Sequence, residues 1–321
     1  MHSATLQAWD DAVTQYLTTR HAFGRAFRKE QWILARLRRF LVEQGGHDLN
    51  QRSFDRWRRQ FGERSPNTRL VYERTVYNFY RYRRRAEPTC FLPNPDSLVR
   101  AQPHPLPTII EPAQVVAVLK HIATIADPAC PFRFAVLRLA IVLLYTTGLR
   151  RGELTRLTLD DVEADSGVLR IRASKFHKSR WAPLSSSARA ELRRYLVARR
   201  RAGMPADGAS PLLCTRAGRQ YTGDGLGDSL KIILAGAGLR DAAGRPPRIQ
   251  DFRHSFAVAA LLRWYEDGAD VQANLPKLAL YMGHVSIAST AYYLRWMPAV
   301  IGRAGERFER ACGTLVQEER P

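Results

Sequence analysis

The sequence contains few cysteines, and none of them lies close to another. The four are spread over 321 residues without a Cys-x-x-Cys pair: Cys90, Cys130, Cys214 and Cys312. Zinc sites and disulfide-stapled small domains both need closely spaced cysteines, so neither is expected. This cysteine usage is typical of the reducing cytosol, and we predict a cytoplasmic location.

Long apolar segments and a secretory signal are also missing. The longest apolar run, residues 134–145, contains Arg138 and is too short to cross a bilayer. The first residues lack the basic and then apolar arrangement of a signal peptide. We therefore expect no membrane partner, and we expect residues 134–145 to form a buried helix.

Acidic residues are scarce compared with basic ones. The chain has 30 Asp and Glu against 50 Lys and Arg, which gives a net charge of +20. The positive charge is spread along the whole chain, whereas a disordered basic arm would concentrate it in one tail. Hydrophobic residues make up 45%, enough for a sizeable core. Folded basic surfaces that face a polyanion are indicated, so nucleic acid is the expected partner.

The apolar pattern divides the chain into three parts. Residues 1–87 show helical spacing and predict a helical domain. Residues 88–107 contain six prolines, which rule out a continuous helix and predict an extended interdomain linker. Residues 108–321 predict a second domain that is mostly helical. Within it, the alternation of residues 168–172 indicates a strand, with residues 180–184 as its antiparallel partner.

A run of arginines ends the last helical pattern of the first domain. It consists of Arg81, Arg83, Arg84 and Arg85, with Tyr82 between them. One interpretation is a solvated helix end, where the helix dipole favours cations. The other is an edge that contacts phosphates, and on so basic a chain we favour this second interpretation.

Two further arginines occur in settings that suit phosphodiester chemistry. Cleaving a phosphodiester without a metal needs a nucleophile, cations on the non-bridging oxygens and a proton donor for the leaving oxygen. Arg150 follows a Thr-Gly turn, and Glu153 lies on the same helical face, where it can orient the guanidinium. Arg253 is flanked by Phe256 and other apolar residues, so we expect it to be rooted in the core.

Four segments that contain these residues resemble the conserved boxes of the tyrosine recombinases, also called the phage integrase family. The segment TGLRRGEL (147–154) resembles the first box, and QDFRHSFA (250–257) resembles the second. The third resembles MGH (282–284) followed by SIASTAYY (286–293). Between the first two boxes, KFHKSRWAPL (175–184) is similar to the hairpin that carries the family's lysine. The four segments occur in the family's order and at its spacing, and the match covers roughly residues 111–294.

This resemblance implies a fold. The N-terminal part would be a helical core-binding domain of the SAM-like type. The C-terminal part would be a mixed α/β catalytic domain with a small antiparallel sheet, the DNA breaking–rejoining fold. The arrangement is similar to that of the simple, Xer-like recombinases.

The resemblance also implies the catalytic roles. Tyr293 would attack the scissile phosphate and form a 3′-phosphotyrosine, while Arg150 and Arg253 hold its oxygens. Lys175 would protonate the leaving 5′ oxygen, and His284 would bind the phosphate or assist proton transfer. No metal and no cofactor is required. Lys178 and Arg180, on the same hairpin as Lys175, are candidate DNA contacts.

Neighbouring residues compete for two of these roles. Tyr292 precedes Tyr293, but adjacent residues on a helix point about 100° apart, so one of them reaches the site. The family's spacing from His284 favours Tyr293. Lys178 competes with Lys175, which the position of Pro183 favours. We expect His254 and His177 to be structural or peripheral.

One position departs from the family. The second box usually begins with a histidine three residues before its arginine, and this chain has Gln250 there. Glutamine donates a hydrogen bond but carries no proton at neutral pH. We expect Gln250 to position the phosphate, with proton transfer left to Lys175 and His284.

The expected function is site-specific recombination of double-stranded DNA. The resemblance implies a clamp of two domains around a duplex and four protomers at synapsis, and it connects the chain with DNA integration and mobile elements. Two alternatives use the same fold: a type IB topoisomerase that relaxes DNA, and a DNA-binding paralogue with impaired catalysis. The third-box spacing argues against the first, and Gln250 is the feature that favours the second.

Overall fold

The computed structural model describes residues 2–24, 27–103, 106–125, 130–163, 166–172, 179–284 and 286–296. The chain forms two compact units, residues 1–105 and residues 106–321. Most of the chain is helical, with one three-stranded antiparallel sheet, so the predicted fold class is confirmed. In the part of the chain that is described, no helix is long and apolar enough to span a membrane.

The described residues of the first unit form four α-helices around an aromatic core. They are α1 (His2–Ala22), α2 (Arg28–Glu43), α3 (Gln51–Arg59) and α4 (Pro66–Arg83). The core is formed by Trp9, Tyr16, Phe54, Trp57, Phe79 and their aliphatic neighbours. A buried polar link crosses it, since Trp9 donates a hydrogen bond to the Tyr80 hydroxyl (3.2 Å), which in turn donates to Asp48 (2.5 Å).

Residues 88–103 of the segment predicted to be an extended interdomain linker, residues 88–107, belong to the first unit. Phe91, Leu92 and Leu98 pack against the aromatic core. Asn67 exchanges two hydrogen bonds with the backbone of Gln102, at 2.8 and 2.9 Å. The prolines prevent a helix, but they do not prevent apolar side chains between them from packing.

In the described part of the second unit, seven helices and the sheet surround a central helix, α6. The helices are α5 (Pro112–Thr124), α6 (Pro131–Thr147), α7 (Arg151–Arg156), α8 (Ser186–Arg201), α9 (Gly223–Gly236), α10 (Ile249–Glu266), α11 (Val271–Met282) and α12 (Ala288–Ala291). A 3-10 turn, Tyr292–Trp296, follows α12. Helix α6 is apolar on most of its circumference and is buried accordingly, as the run 134–145 predicts.

The sheet has the order β1 (Val162–Glu163), β2 (Val168–Ile171) and β3 (Arg180–Pro183). The pair β2–β3 is antiparallel, with Leu169 opposite Ala182 and Ile171 opposite Arg180, which confirms the predicted hairpin. Leu169, Ile171 and Ala182 face the core of this unit.

A second, smaller apolar cluster joins α10, α11 and the 3-10 turn. It contains Val258, Leu261, Leu275, Leu278 and Met282, and Tyr293 is part of it. The cluster fixes the end of α11 and the 3-10 turn against α10. These elements carry two of the three family boxes.

Candidate active site

Arg150 begins helix α7 and is held by a carboxylate one turn later. Helix α6 ends at Gly148, whose φ of 61° lies in the left-handed region that glycine adopts without strain. The Glu153 carboxylate accepts from the Arg150 backbone N–H (3.0 Å) and from its Nη1 (2.7 Å). The orientation predicted from the spacing of the two residues is therefore present.

The same carboxylate binds a second arginine from the sheet. Arg180, at the start of β3, donates from Nη2 and Nη1 to the two oxygens of Glu153, at 2.8 and 3.2 Å. Glu153 is 3% exposed. Burial alone would raise its carboxyl pKa, but the bonds from Arg180 and Arg150 outweigh burial and lower the pKa to about 2. Glu153 is thus ionised and bridges two guanidiniums.

Arg253 is the second predicted clamp, and it is rooted in the core as expected. It is 1% exposed on α10. Its Nη1 donates to the carbonyl oxygen of Gly148 (2.5 Å), and its Nη2 donates to that of Met282. Burial, followed by the charge of Arg150, lowers its pKa to about 9, so the guanidinium still carries its charge at neutral pH.

The end of helix α11 contacts both clamping arginines. It terminates at Gly283, which has a φ of 63°. The Gly283 carbonyl accepts from Arg150 Nη2 at 3.0 Å, and the preceding Met282 carbonyl accepts from Arg253. Carbonyl groups at a helix C-terminus have no intrahelical donor, so the guanidiniums supply donors that this end needs. One turn therefore fixes the positions of both clamps.

His284 follows directly and is oriented by a threonine. Its Nδ1 lies 2.7 Å from the hydroxyl of Thr290, which is fully buried in α12. Burial, and then the charges of Arg253 and Arg150, lowers the pKa of His284 to about 4. The ring is neutral at pH 7, with Nε2 as its remaining polar atom.

Tyr293, rather than Tyr292, is placed among these groups. Tyr293 is 3% exposed, and its ring stacks at 6.2 Å from that of His284. Tyr292 is 37% exposed. Burial raises the pKa of the Tyr293 phenol, while the charges of Arg253 and Arg150 lower it, so both arginines act on this hydroxyl.

His254 contacts Tyr293 directly, which the sequence did not indicate. Its Nδ1 lies 3.2 Å from the Tyr293 hydroxyl, and the two ring centroids are 5.5 Å apart. We expected His254 to be structural or peripheral, and the contact shows that it is not peripheral to Tyr293. The contact joins residues 39 positions apart, so no local spacing rule could reveal it.

The cluster is positively charged. Among the described residues, Arg150, Arg180 and Arg253 surround the carboxylate of Glu153, and these four side chains together leave two positive charges while both histidines are neutral. A phosphodiester carries one negative charge, and its pentacoordinate transition state carries two. The balance therefore favours the transition state, which is what a preorganised phosphoryl site requires.

The remaining predicted catalytic and hairpin residues differ in how the structure places them. Gln250 is exposed in the first turn of α10, one turn before Arg253. Lys175 and Lys178 lie outside the described residues, as does His177. Arg180 was expected to contact DNA, but its side chain is 10% exposed and paired with Glu153. We therefore reassign it to the interior of the site.

The arginine run of α4 also separates into two kinds of residue. Arg83 is 9% exposed and pairs with Asp48 (2.6 Å) and Glu87 (2.7 Å), so it is not a phosphate contact in this structure. Its position on the inner face of α4 is the physical reason. Arg81, Arg84 and Arg85 are exposed.

Metal ligands are not grouped in the described part of the second unit or of the first. No three His, Cys, Asp or Glu side chains there are close enough to hold an ion together. The Glu153 carboxylate is taken up by Arg150 and Arg180, and the other polar groups of the site are guanidiniums, imidazoles and a phenol, a set that suits an anion.

These features define a class of protein: a helical DNA breaking–rejoining fold in which one buried arginine, Arg253, and one half-buried arginine, Arg150, lie near a buried tyrosine. The phage integrase family model matches residues 109–298, more than half of the chain. The chain is 33% identical over 315 residues to a protein named as an integrase/recombinase, y4rB, of Sinorhizobium fredii (strain NBRC 101917 / NGR234), covering 95% of this chain and 98% of that protein. It is 29% identical to the tyrosine recombinase XerD of Caulobacter vibrioides (strain ATCC 19089 / CIP 103742 / CB 15), covering 89% and 91%.

Solved structures show the same fold. The Tn1549 transposon integrase in complex with transposon right end DNA superposes with a TM-score of 0.62 at 18% identity, covering 93% of this chain and 98% of that one. The chain belongs to the phage integrase family and is an enzyme of the tyrosine recombinase class, a DNA strand transferase.

Proposed function

We propose that the chain cuts and rejoins double-stranded DNA at a specific site through a covalent 3′-phosphotyrosine on Tyr293. The observation that supports the proposal is that Tyr293 is buried with its hydroxyl 3.2 Å from Nδ1 of His254 and its ring against His284, while Tyr292 is 37% exposed. Family membership supports the proposal. The structure of the site-specific recombinase XerH bound to palindromic difH substrate, a post-cleavage complex, supports it as well.

The first step is an in-line displacement at phosphorus. The Tyr293 oxygen forms a bond to phosphorus as the bond to the 5′ oxygen breaks, and Lys175 supplies the proton to that oxygen. Arg150 and Arg253 bind the non-bridging oxygens, where negative charge develops. The phosphotyrosine conserves the energy of the broken bond, so a 5′ hydroxyl can reverse the step and rejoin a strand.

His284 contributes a hydrogen bond rather than a charge. With its pKa near 4 the ring is neutral, and Thr290 occupies Nδ1. When Thr290 donates to Nδ1, Nε2 carries the proton and donates to a phosphate oxygen. Gln250, exposed at the start of α10, adds a further donor.

Recombination joins two duplexes, and each exchange needs two cuts per duplex. The functional unit in the proposal is therefore four protomers on two duplexes, each contributing its own Tyr293. The net charge of +20 supplies affinity for the phosphate backbone, and base contacts select the site.

A trapping experiment tests the proposal. Duplexes that the full chain binds are first selected from a random library. Each is then synthesised as a set of substrates with a single nick at a different position. Cleavage near a nick releases a short strand that diffuses away, so the enzyme remains attached to the DNA. The wild type is expected to form an adduct that survives denaturant and is removed by protease, with the nucleotide on Tyr293 by mass spectrometry.

Three variants accompany it. Tyr293→Phe is expected to bind the duplex normally and to form no adduct, whereas Tyr292→Phe retains adduct formation. Arg253→Lys, which loses the planar fork, is expected to cleave about 10²–10³ times more slowly. Retained duplexes on which the wild type forms no adduct at any nick position would contradict the proposal, as would an adduct on Tyr293→Phe.

A further inference from the structure

The proposed reaction leaves one proton without an acceptor. Burial raises the pKa of the Tyr293 phenol, so the hydroxyl is protonated at neutral pH, and its proton must leave as the oxygen attacks. Arg150 and Arg253 are donors only, and a glutamine at position 250 cannot take up a proton. His284 has its Nδ1 bonded to Thr290.

His254 has the geometry that the role requires. Its Nδ1 lies 3.2 Å from the Tyr293 hydroxyl, within the distance over which a general base acts. It follows Arg253 on α10, a helix that is anchored by buried residues on both sides of the site. The base is therefore fixed to the same rigid element as one of the phosphate clamps.

The surroundings of His254 keep it in the accepting form. Burial lowers its pKa below the usual value, so the ring is neutral at pH 7 and one nitrogen has a lone pair. The charged and titratable groups that face it lie on its own helix and on two neighbouring segments: Asp251, Arg248, Arg253, Tyr293 and His284. Asp251 favours the protonated ring, so it also stabilises the imidazolium that the reaction forms.

We infer that His254 is the catalytic base that accepts the Tyr293 proton during cleavage. The inference rests on the proposed function. The O–H bond of Tyr293 breaks and its proton passes to Nδ1 of His254, while the phenolic oxygen bonds to phosphorus and the 5′ oxygen leaves. Rejoining reverses each change, so the His254 imidazolium returns the proton to the departing phenol.

Two substitutions separate proton transfer from positioning. His254→Asn places an amide near Nδ1 and keeps a hydrogen bond to the phenol, but it cannot take up a proton. His254→Ala removes both functions. Each variant is compared with the wild type on the nicked duplex, with DNA binding and the thermal unfolding midpoint as tests of folding.

A base and an acid respond differently to the leaving group. A bridging 5′ sulfur leaves as a thiolate and needs no proton, so a variant that lacks the general acid is restored on such a duplex. Lys175→Ala is the comparison for this case. A variant that lacks the base stays slow on both duplexes, because the phenol must still be deprotonated.

The expected result is that His254→Asn binds DNA normally and cleaves both duplexes at least about 10² times more slowly than the wild type. Added imidazole is expected to restore part of the rate to His254→Ala. The wild-type rate should fall as the pH drops through the His254 pKa, below 6.5, and the Asn variant should lose this dependence.

Two results would overturn the inference. One is a His254→Asn rate within threefold of the wild type, with the same pH dependence. The other is recovery of the Asn variant on the sulfur duplex, which would place His254 on the leaving group. Either result leaves the phosphotyrosine proposal intact, whereas a wild type that forms no adduct on DNA it binds removes both.

Discussion

Glu153 is a buried carboxylate that stays ionised because two guanidiniums and a backbone N–H bond it. A buried charge is tolerated when its partners compensate for the lost hydration, and removal of one partner then leaves the others uncompensated. In this site the uncompensated groups would be Arg150 and Arg180. The carboxylate thus holds the clamp arginine and keeps the like charges apart.

Replacement of Glu153 by glutamine is expected to impair both stability and cleavage. Its folded pKa, near 2, lies below the unfolded value of 4.5, so ionisation stabilises the fold by roughly 3 kcal/mol at pH 7. This contribution is complete above the unfolded pKa and disappears as the pH falls towards 2. Urea unfolding of Glu153→Gln should therefore show a deficit at pH 7 that shrinks on acidification.

The control for this experiment is Glu163→Gln, an exposed carboxylate at the end of β1. It is expected to unfold like the wild type at each pH and to retain cleavage. A deficit for Glu153→Gln that stays constant from pH 7 to pH 2 would show that the charge of the carboxylate is not the source of its stabilising effect.

Helix α6 meets α10 where the first box begins, and Gly148 makes that approach possible. A Cβ at this position would lie 2.6 Å from Cδ1 of Phe256 on α10, and the backbone φ of 61° disfavours side chains in any case. The carbonyl of the same residue accepts from Arg253. The turn therefore combines helix termination, close packing and the support of a clamp.

Gly148→Ala is expected to destabilise the second unit by more than backbone strain alone. Gly203→Ala is the matched control, because it has a φ of 65° and no atom within 4 Å of the added Cβ. We expect the control to cost on the order of 1 kcal/mol in urea unfolding and to leave cleavage unchanged. Gly148→Ala should cost more and slow cleavage, and equal effects of the two changes would contradict the packing argument.

Periodicity accounts for the elements that the sequence predicts. The spacing of Ile33, Leu37 and Phe40 defines α2, and the alternation in residues 168–171 defines β2. Periodicity does not predict helix α3, because just two of its nine residues, Phe54 and Trp57, are buried, and the residues around them in the sequence are mostly arginines and other polar residues. Periodicity also does not predict that the proline-rich segment 88–103 packs on the first unit, since the absence of a helix does not indicate whether a segment packs.

The site shows a similar division. The boxes predict Arg150, Arg253 and Tyr293 as site residues because each occupies a fixed place in a short motif. Pairings between distant side chains leave no such trace in the sequence. Arg83 forms an ion pair with Asp48, 35 residues away. This pair keeps Arg83 off the surface, although in the sequence it resembles the neighbouring arginines.

The whole molecule carries a charge of +20, so its DNA affinity should depend strongly on salt. Exposed arginines at the end of α4 and the buried Arg83 should then behave differently. Joint replacement of Arg81 and Arg85 by glutamine is expected to reduce the slope of log K against log salt by roughly 2, about 0.9 per lost phosphate contact. Thermal unfolding should be unaffected.

Arg83→Gln is the internal comparison. It should lower the unfolding midpoint, because Asp48 and Glu87 lose their partner, and it should leave the salt slope unchanged. A reduced slope without a change in stability would show that Arg83 reaches DNA after all.

The two guanidinium–carbonyl bonds at the end of α11 also determine when the active site of a newly synthesised chain is assembled. They link Arg253 to Met282 and Arg150 to Gly283, across 29 and 133 residues. At 5–20 residues per second, translation of the second interval takes roughly 10 s, during which Arg150 exists without the turn that holds it. A ribosome-bound fragment that ends before Gly283 thus has no assembled site. The site forms after the end of α11 and the 3-10 turn have docked on α10.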